Sequence, residues 1–285
     1  MRVKLFALLS AAVLFVLAAA PASATSGGDS YLALGDSVPF GFNPLLDASN
    51  ASNFVGYPEI VAQRLNIEEV NATCPGEATG GFLSLTGTDN VCRPYRSVFP
   101  LHVSYSGTQM AFATAYLTSH PRTRLVTLTL GANDLFRWQK DCAVTPQPFG
   151  TCPLGLFGML GVMQANLNTI LHGIRATGYT GLIVVVTYYS LDYSDVSGAV
   201  LLNSPLVAAA AANGVLVASG LDAWAEKAHG GSSCTAKLLI MLPTGDCDVH
   251  PTQLGHKKLA QEITSTIAAS CPAQSPIECL GRNQN

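Results

Sequence analysis

The chain has 285 residues, of which 48% are hydrophobic and only 12% charged, with a formal net charge of −3 at pH 7. The charged share lies well below the roughly 25% of ordinary globular proteins, and together with so much apolar material it excludes a disordered chain. The slightly acidic balance with no basic run excludes nucleic acid as a partner, and the length suits one large domain with ample core.

The first residues form a segment of their own. Arg2 and Lys4 precede an apolar stretch over 5–20, and Pro21-Ala22-Ser23-Ala24 follows with the small-x-small pattern of a cleavage site. Residues 1–24 therefore read as a secretory signal peptide, with one domain over 25–285. The rival is an uncleaved anchor, but a spanning helix needs about 20 apolar residues. No later apolar segment is long enough to span a membrane. The expectation is an extracellular monomer with no stable membrane insertion.

Beyond the leader, runs rich in β-branched and apolar residues predict strands over 31–34, 67–73, 125–130, 181–189 and 215–218. Helical patterns lie between and after them, over 58–65, 108–118, 163–176, 205–213 and 252–269. In the last, Leu259, Ile263 and Ile267 recur every four residues behind a Thr252 N-cap. Strand-helix alternation implies an α/β fold, a parallel sheet covered on both faces. A run such as LIVVV within 181–189 is what a doubly buried strand looks like. The segment 136–161, with Cys142, Cys152, Pro146, Pro148 and Pro153, fits no element. It reads as a stapled surface loop or a wall of a binding site, the second being preferred.

Eight cysteines fit an oxidising compartment, and they fall into sequence-local pairs: Cys74/Cys92, Cys142/Cys152, Cys234/Cys247 and Cys271/Cys279. No C-x-x-C or H-x-x-x-H spacing supports metal ligation, so disulfides are expected and no metal or cofactor. Asn50-Ala51-Ser52 and Asn71-Ala72-Thr73 are glycosylation sequons, meaningful only in a host that glycosylates.

In open parallel sheets, ligands bind beyond the carboxyl ends of the strands. Polar chemistry gathers there in four places: Gly35-Asp36-Ser37, Cys74-Pro75-Gly76-Glu77, Gly131-Ala132-Asn133-Asp134, and the stretch from Asp246 to Pro251 before the last helix. Each alone has a bland reading, as a turn, a helix cap or a solvated loop. Their combination resembles the SGNH hydrolases, the GDSL esterase and lipase family. The matching residues are Ser37, Gly76, Asn133 and His250, within YLALGDS, NATCPGEAT, LVTLTLGANDL and DVHPTQLGH. The resemblance covers nearly the whole mature chain. It implies a flavodoxin-like three-layer sandwich around a central parallel sheet of about five strands. It also implies a secreted serine hydrolase acting on small-molecule or lipid carboxylic esters without a cofactor.

The residues make sense as an acyl-transfer site in their own right. Ser37 needs a base to become a nucleophile, and His250 is placed in a block to serve. The backbone N–H groups of Ser37 and Gly76 and the Asn133 amide supply three donors for a tetrahedral oxyanion. An α/β-hydrolase elbow, G-x-S-x-G, is excluded because Pro39 stands where its second glycine would be. A nucleotide binder lacks its phosphate loop. One departure matters: three residues before His250, where the family places Asp, stands Cys247. Asp248, Asp246 or a backbone carbonyl is left to orient the imidazole, with Asp248 favoured if 248–250 is extended. A carbohydrate O-deacetylase, a lysophospholipase and, from another class, a secreted binding protein that keeps the fold without catalysis are the competing readings.

Overall fold

The computed structural model describes residues 30–144, 151–271 and 279–280, and the expected leader lies outside them. In chain order the elements are β1 (Ser30–Gly35), α1 (Ser37–Phe40), α2 (Tyr57–Leu65), β2 (Glu68–Asn71), α3 (Thr79–Leu83), α4 (Cys92–Val98), α5 (Gln109–Ser119), β3 (Thr123–Thr129), α6 (Ala132–Val144) and α7 (Thr151–Ala176). They continue with β4 (Leu182–Val186), α8 (Ser197–Ala212), β5 (Leu216–Ala218), α9 (Gly220–Ala228), β6 (Leu239–Met241), β7 (Cys247–Pro251) and α10 (Gln253–Ser270).

Five strands form one sheet in the order β2-β1-β3-β4-β5. Every pairing in it is parallel. That order, with the reversal beside β1, is the flavodoxin-like arrangement, and its switch point lies between β1 and β3. The helices gather in two groups that cover the sheet: α10 packs on α2 and α9, while α7 packs on α3, α5, α6 and α8. Burial on both faces explains the unbroken apolar strands. Ile183 to Val186 of β4 are each no more than 1% exposed, and side chains of this size contribute about 1.5–3 kcal/mol apiece when fully buried. Polar groups inside the sheet are paired, as Tyr31 Oη is with Thr127 Oγ1 at 2.6 Å and Tyr57 Oη with Thr129 Oγ1 at 2.7 Å.

The described residues of 136–161 do not form the irregular insertion expected there but belong to α6 and to the first turns of α7. Pro146 and Pro148 lie outside the described residues. Pro153 stands in the first turn of α7, where a missing N–H removes no helical bond, and Arg137 grips Asp141 one turn on in α6 at 2.9 Å. Similarly, α8 begins well before the expected 205, with Pro205 inside it. The carbonyl of Leu201, which Pro205 cannot serve, accepts the Ser204 hydroxyl at 2.8 Å. The strand expected over 67–73 shortens to β2 because it is an edge strand whose side chains are half-exposed.

Three of the expected disulfides are present: Cys74–Cys92, Cys234–Cys247 and Cys271–Cys279. Cys142 is also disulfide-bonded. The side chain of its expected partner, Cys152, lies outside the described residues. The two sequons differ. Asn50 is exposed, whereas Asn71 is buried with its amide nitrogen donating to Pro39 O and Glu59 Oε1. The Asn71 side chain is therefore closed to modification in the folded protein. Among the described residues no helix is long and apolar enough to cross a membrane.

Candidate active site

The site forms where β1 stops. Gly35 has φ +133°, and a Cβ there would sit 2.0 Å from the Thr129 carbonyl oxygen, so only glycine lets β1 and β3 end side by side. The Gln109 side chain brackets this residue, accepting from Gly35 N at 2.7 Å and donating to Gly35 O at 2.9 Å. Asp36 then leaves the strand and caps α1, accepting from Val38 N at 3.0 Å. Ser37 is the first residue of α1 and the only one from 30 to 41 that is not buried. A short helix start thus lifts one hydroxyl out of an otherwise sealed segment.

The partner for that hydroxyl comes from the far end of the chain. β6 and β7 pair as an antiparallel ribbon that sequence periodicity did not announce. Its anchors are the Cys234–Cys247 bridge and the Tyr189 hydroxyl, which donates to Val249 O at 2.6 Å. Because β7 is extended, Asp248 and His250 share a face. His250 Nε2 lies 2.8 Å from Ser37 Oγ. Its Nδ1 bonds Asp248 Oδ1, and the same oxygen accepts from His250 N at 2.9 Å. Burial opposes ionisation of Asp248, but the hydrogen bonds and charge of His250 outweigh it and hold the carboxyl below its ordinary value. Asp246, by contrast, is exposed on the ribbon's turn and bonds the Thr244 hydroxyl. The second histidine of this block, His256, faces the core of α10. Burial first, and then the charge of His250, push it down to about 3, so it stays neutral.

The donors expected for an oxyanion are disposed as follows. Asn133 opens α6 and is buried, its Oδ1 accepting from Asn90 Nδ2 at 2.9 Å. Gly76 occupies the turn after β2 at φ +84°, where a Cβ would strike Val91 Cγ2 at 2.2 Å. This turn is fixed beside β1 by Cys74 N, which donates to Gly35 O at 3.1 Å. Asn133, Ser37 and His250 line one cavity of about 400 Å³, whereas Gly76 does not line it.

The cavity wall is largely apolar, including Leu135 and Phe136 of α6, Leu191 from the loop before α8, Ala199 and Leu202 of α8, and Val249. The expected wall role falls, among the described residues of 136–161, to Phe136 and Gln139. Among the described residues, those of 155–160 do not line the cavity, and Leu160 is in the core.

A supporting residue that gave no sequence signal joins two of the blocks that did. Tyr188, after β4, donates to Asp36 Oδ2 at 2.5 Å and accepts from Ala132 N at 3.0 Å, linking the Ser37 segment to the Asn133 segment. Burial pushes Asp36 up to about 6, against the opposing pull of the Tyr188 and Val38 bonds and of His250. Asp134 receives Thr79 N at 2.9 Å and Thr79 Oγ1 at 2.6 Å, tying α6 to α3. Chemically, a hydroxyl on an imidazole whose other nitrogen is held by a carboxylate is a nucleophile prepared for acyl transfer.

Known structures share this fold at low identity. Phospholipase A1 from Streptomyces albidoflavus NA297 is 20% identical, over 85% of this chain and 100% of that one, with a TM-score of 0.52. An extracellular lipase from Streptomyces rimosus is 19% identical, over 84% and 100%, with a TM-score of 0.53. A variant of an acetyl-xylooligosaccharide esterase from Geobacillus is 16% identical, over 84% and 94%, with a TM-score of 0.52. No curated protein matches the chain. Residues 33–258, spanning Ser37, Gly76, Asn133 and His250, match the GDSL-like Lipase/Acylhydrolase family, and the chain belongs to that family.

Proposed function

We propose that the protein is a secreted carboxylic ester hydrolase that works through an acyl-enzyme on Ser37. The observation that carries this reading is the contact of His250 Nε2 with Ser37 Oγ at 2.8 Å, with Asp248 on the opposite ring nitrogen. Ser37 Oγ attacks the ester carbonyl carbon while His250 takes the hydroxyl proton, and Asp248 holds the ring tautomer and stabilises the imidazolium. The tetrahedral oxyanion is met by Ser37 N, Gly76 N and Asn133 Nδ2. Collapse expels the alcohol, which takes its proton from His250. Water, activated by the same imidazole, then attacks the acyl-enzyme and releases the acid and Ser37. The chain's own residues supply every proton transfer in this scheme.

The apolar cavity beside Ser37 supports an acyl group longer than acetyl, since its wall offers contacts that an acetyl group would leave unused. The leader over 1–24 and the disulfides support export. Turnover of a p-nitrophenyl ester series from acetate to palmitate, beside an acetylated xylo-oligosaccharide and a lysophospholipid, tests the reading. Highest kcat/KM on an ester with a medium or long acyl chain is expected. A preference for the acetylated sugar would make the protein a deacetylase, and no turnover of any ester would leave the binding-protein reading.

A further inference from the structure

The loop between α3 and α4 contains one residue that touches both candidate oxyanion carriers outside α1. Asn90 Nδ2 donates to Asn133 Oδ1 at 2.9 Å, and Asn90 N donates to Gly76 O at 3.2 Å. Val91 N shares that Gly76 carbonyl at 3.2 Å. The loop is itself fixed. The Cys74–Cys92 bridge closes the 18-residue interval that contains both Gly76 and Asn90. Just before Asn90, the buried Asp89 holds the start of α4 by accepting from Cys92 N at 3.0 Å and Arg93 N at 3.1 Å.

We infer that Asn90 is a positioning residue for the oxyanion site: it selects which end of the Asn133 amide faces Ser37 and holds the Gly76 turn in register with it. An asparagine amide has two ends of nearly equal size, one donating and one accepting. If Asn133 presented Oδ1 to the reaction centre, it would repel a developing oxyanion instead of stabilising it. A donor placed on Oδ1 opposes this, because reversing the Asn133 amide alone would set NH₂ against NH₂, and only a concerted turn of both amides would restore the bond. The bond from Asn90 therefore leaves Asn133 Nδ2 as the end available to the cavity that Ser37 and His250 line. The same residue's backbone accounts for one of the two bonds on the Gly76 carbonyl, so the two donors are adjusted together. This inference rests on the reading that Asn133 stabilises the oxyanion.

The test is kcat and KM on p-nitrophenyl butyrate for wild type, Asn133→Ala, Asn90→Leu, Asn90→Asp and the Asn90→Leu/Asn133→Ala pair, with thermal unfolding of each. Asn133→Ala should lower kcat by about 10²–10³, the usual effect of losing one oxyanion donor. Asn90→Leu, which removes the donor at nearly constant shape, should lower kcat about tenfold with KM within about twofold, less than outright donor removal. Asn90→Asp should fall below Asn90→Leu, because a carboxylate attracts the Asn133 NH₂ and turns the acceptor end toward the substrate. A residue kept only for its turn would show the reverse order, since Asp is the closer mimic of Asn in a turn. On the Asn133→Ala background, Asn90→Leu should change kcat less than about twofold. If Asn90→Leu does not fold, Asn90→Ala takes its place in both comparisons. An Asn90→Asp enzyme as active as Asn90→Leu, or an Asn90 effect equal in both backgrounds, overturns the inference alone. Wild-type kcat in Asn133→Ala overturns the underlying oxyanion reading, and the inference with it.

Discussion

His250 reaches Ser37 across 213 residues of chain, its Nε2 resting 2.8 Å from the serine oxygen. The contact joins the helix start that follows β1 to the ribbon before α10, so it exists only when the whole domain is folded. Disturbing the ribbon should consequently affect chemistry before it affects the sheet.

Asp248 sits in the ribbon against His250 Nδ1, whereas Asp246 bonds Thr244 in the exposed turn. Asp248→Asn is expected to lower kcat at least a hundredfold with KM nearly unchanged, because the imidazole loses both its tautomer control and its counter-charge. Asp246→Asn should stay within about twofold of wild type, as exposed substitutions usually do. Steady-state kinetics on both variants checks this pair. Asp248→Asn within threefold of wild type would point to a carbonyl-supported dyad.

The Cys234–Cys247 bridge ends one residue before Asp248. Replacing both cysteines by serine should remove roughly 3 kcal/mol for a loop of this size. It should also lower kcat at temperatures where the protein is still folded. Parallel calorimetry and activity measurements separate the two effects. Activity that falls only along the unfolding curve would mean the bridge serves stability and not the register of Asp248.

Ala199 lies on the part of α8 that walls the cavity and is only half-buried. Ala199→Trp should narrow the cavity while leaving helix and core intact. Turnover of p-nitrophenyl octanoate should fall at least fivefold relative to p-nitrophenyl acetate, in line with the modest worth of a few methylenes in an apolar pocket. An equal effect on both esters would place the acyl group elsewhere.

Glu77 is buried beneath the site, and burial, then the charge of Asp89, push its carboxyl up to about 8 despite the opposing Gln109 bond and the charges of Arg96 and Arg93. An unfolded glutamate titrates near about 4.3. Between those values the folded protein holds a proton that the unfolded chain has lost, so this contribution to stability is full below the window and is lost as pH rises through it. Glu77→Gln should shrink the fall in Tm between pH 5 and pH 8. An unchanged fall would assign the slope to other groups, such as Asp36 or Glu69.

Much of the fold was legible because the doubly buried strands are continuous apolar runs: β1 and β4 need no neighbour to be recognised. The ribbon was not, since β6 has three residues and the β7 side chains are mostly half-buried, leaving no period to read. The start of α7 was hidden by Pro153, a residue that breaks helices everywhere except in their first turn. The four blocks with Ser37, Gly76, Asn133 and His250 stood out as sequence, but the choice among Asp246, Asp248 and a carbonyl depends on backbone shape, which the ribbon pairing and the Cys234–Cys247 bridge impose from outside the block. Asn90, Tyr188 and Gln109 act through contacts across 43, 152 and 74 residues, so nothing near them in the sequence marks them.

The central claim is that Ser37 forms the acyl-enzyme, and the most direct measurement is mass spectrometry of the protein after incubation with a fluorophosphonate. The account predicts one adduct per chain, on Ser37, appearing in step with loss of ester turnover and greatly slowed in His250→Ala. Loss of turnover with Ser37 unlabelled, or a Ser37→Ala enzyme that keeps more than about a hundredth of wild-type activity, well above the residual left when a triad member is removed, would contradict it.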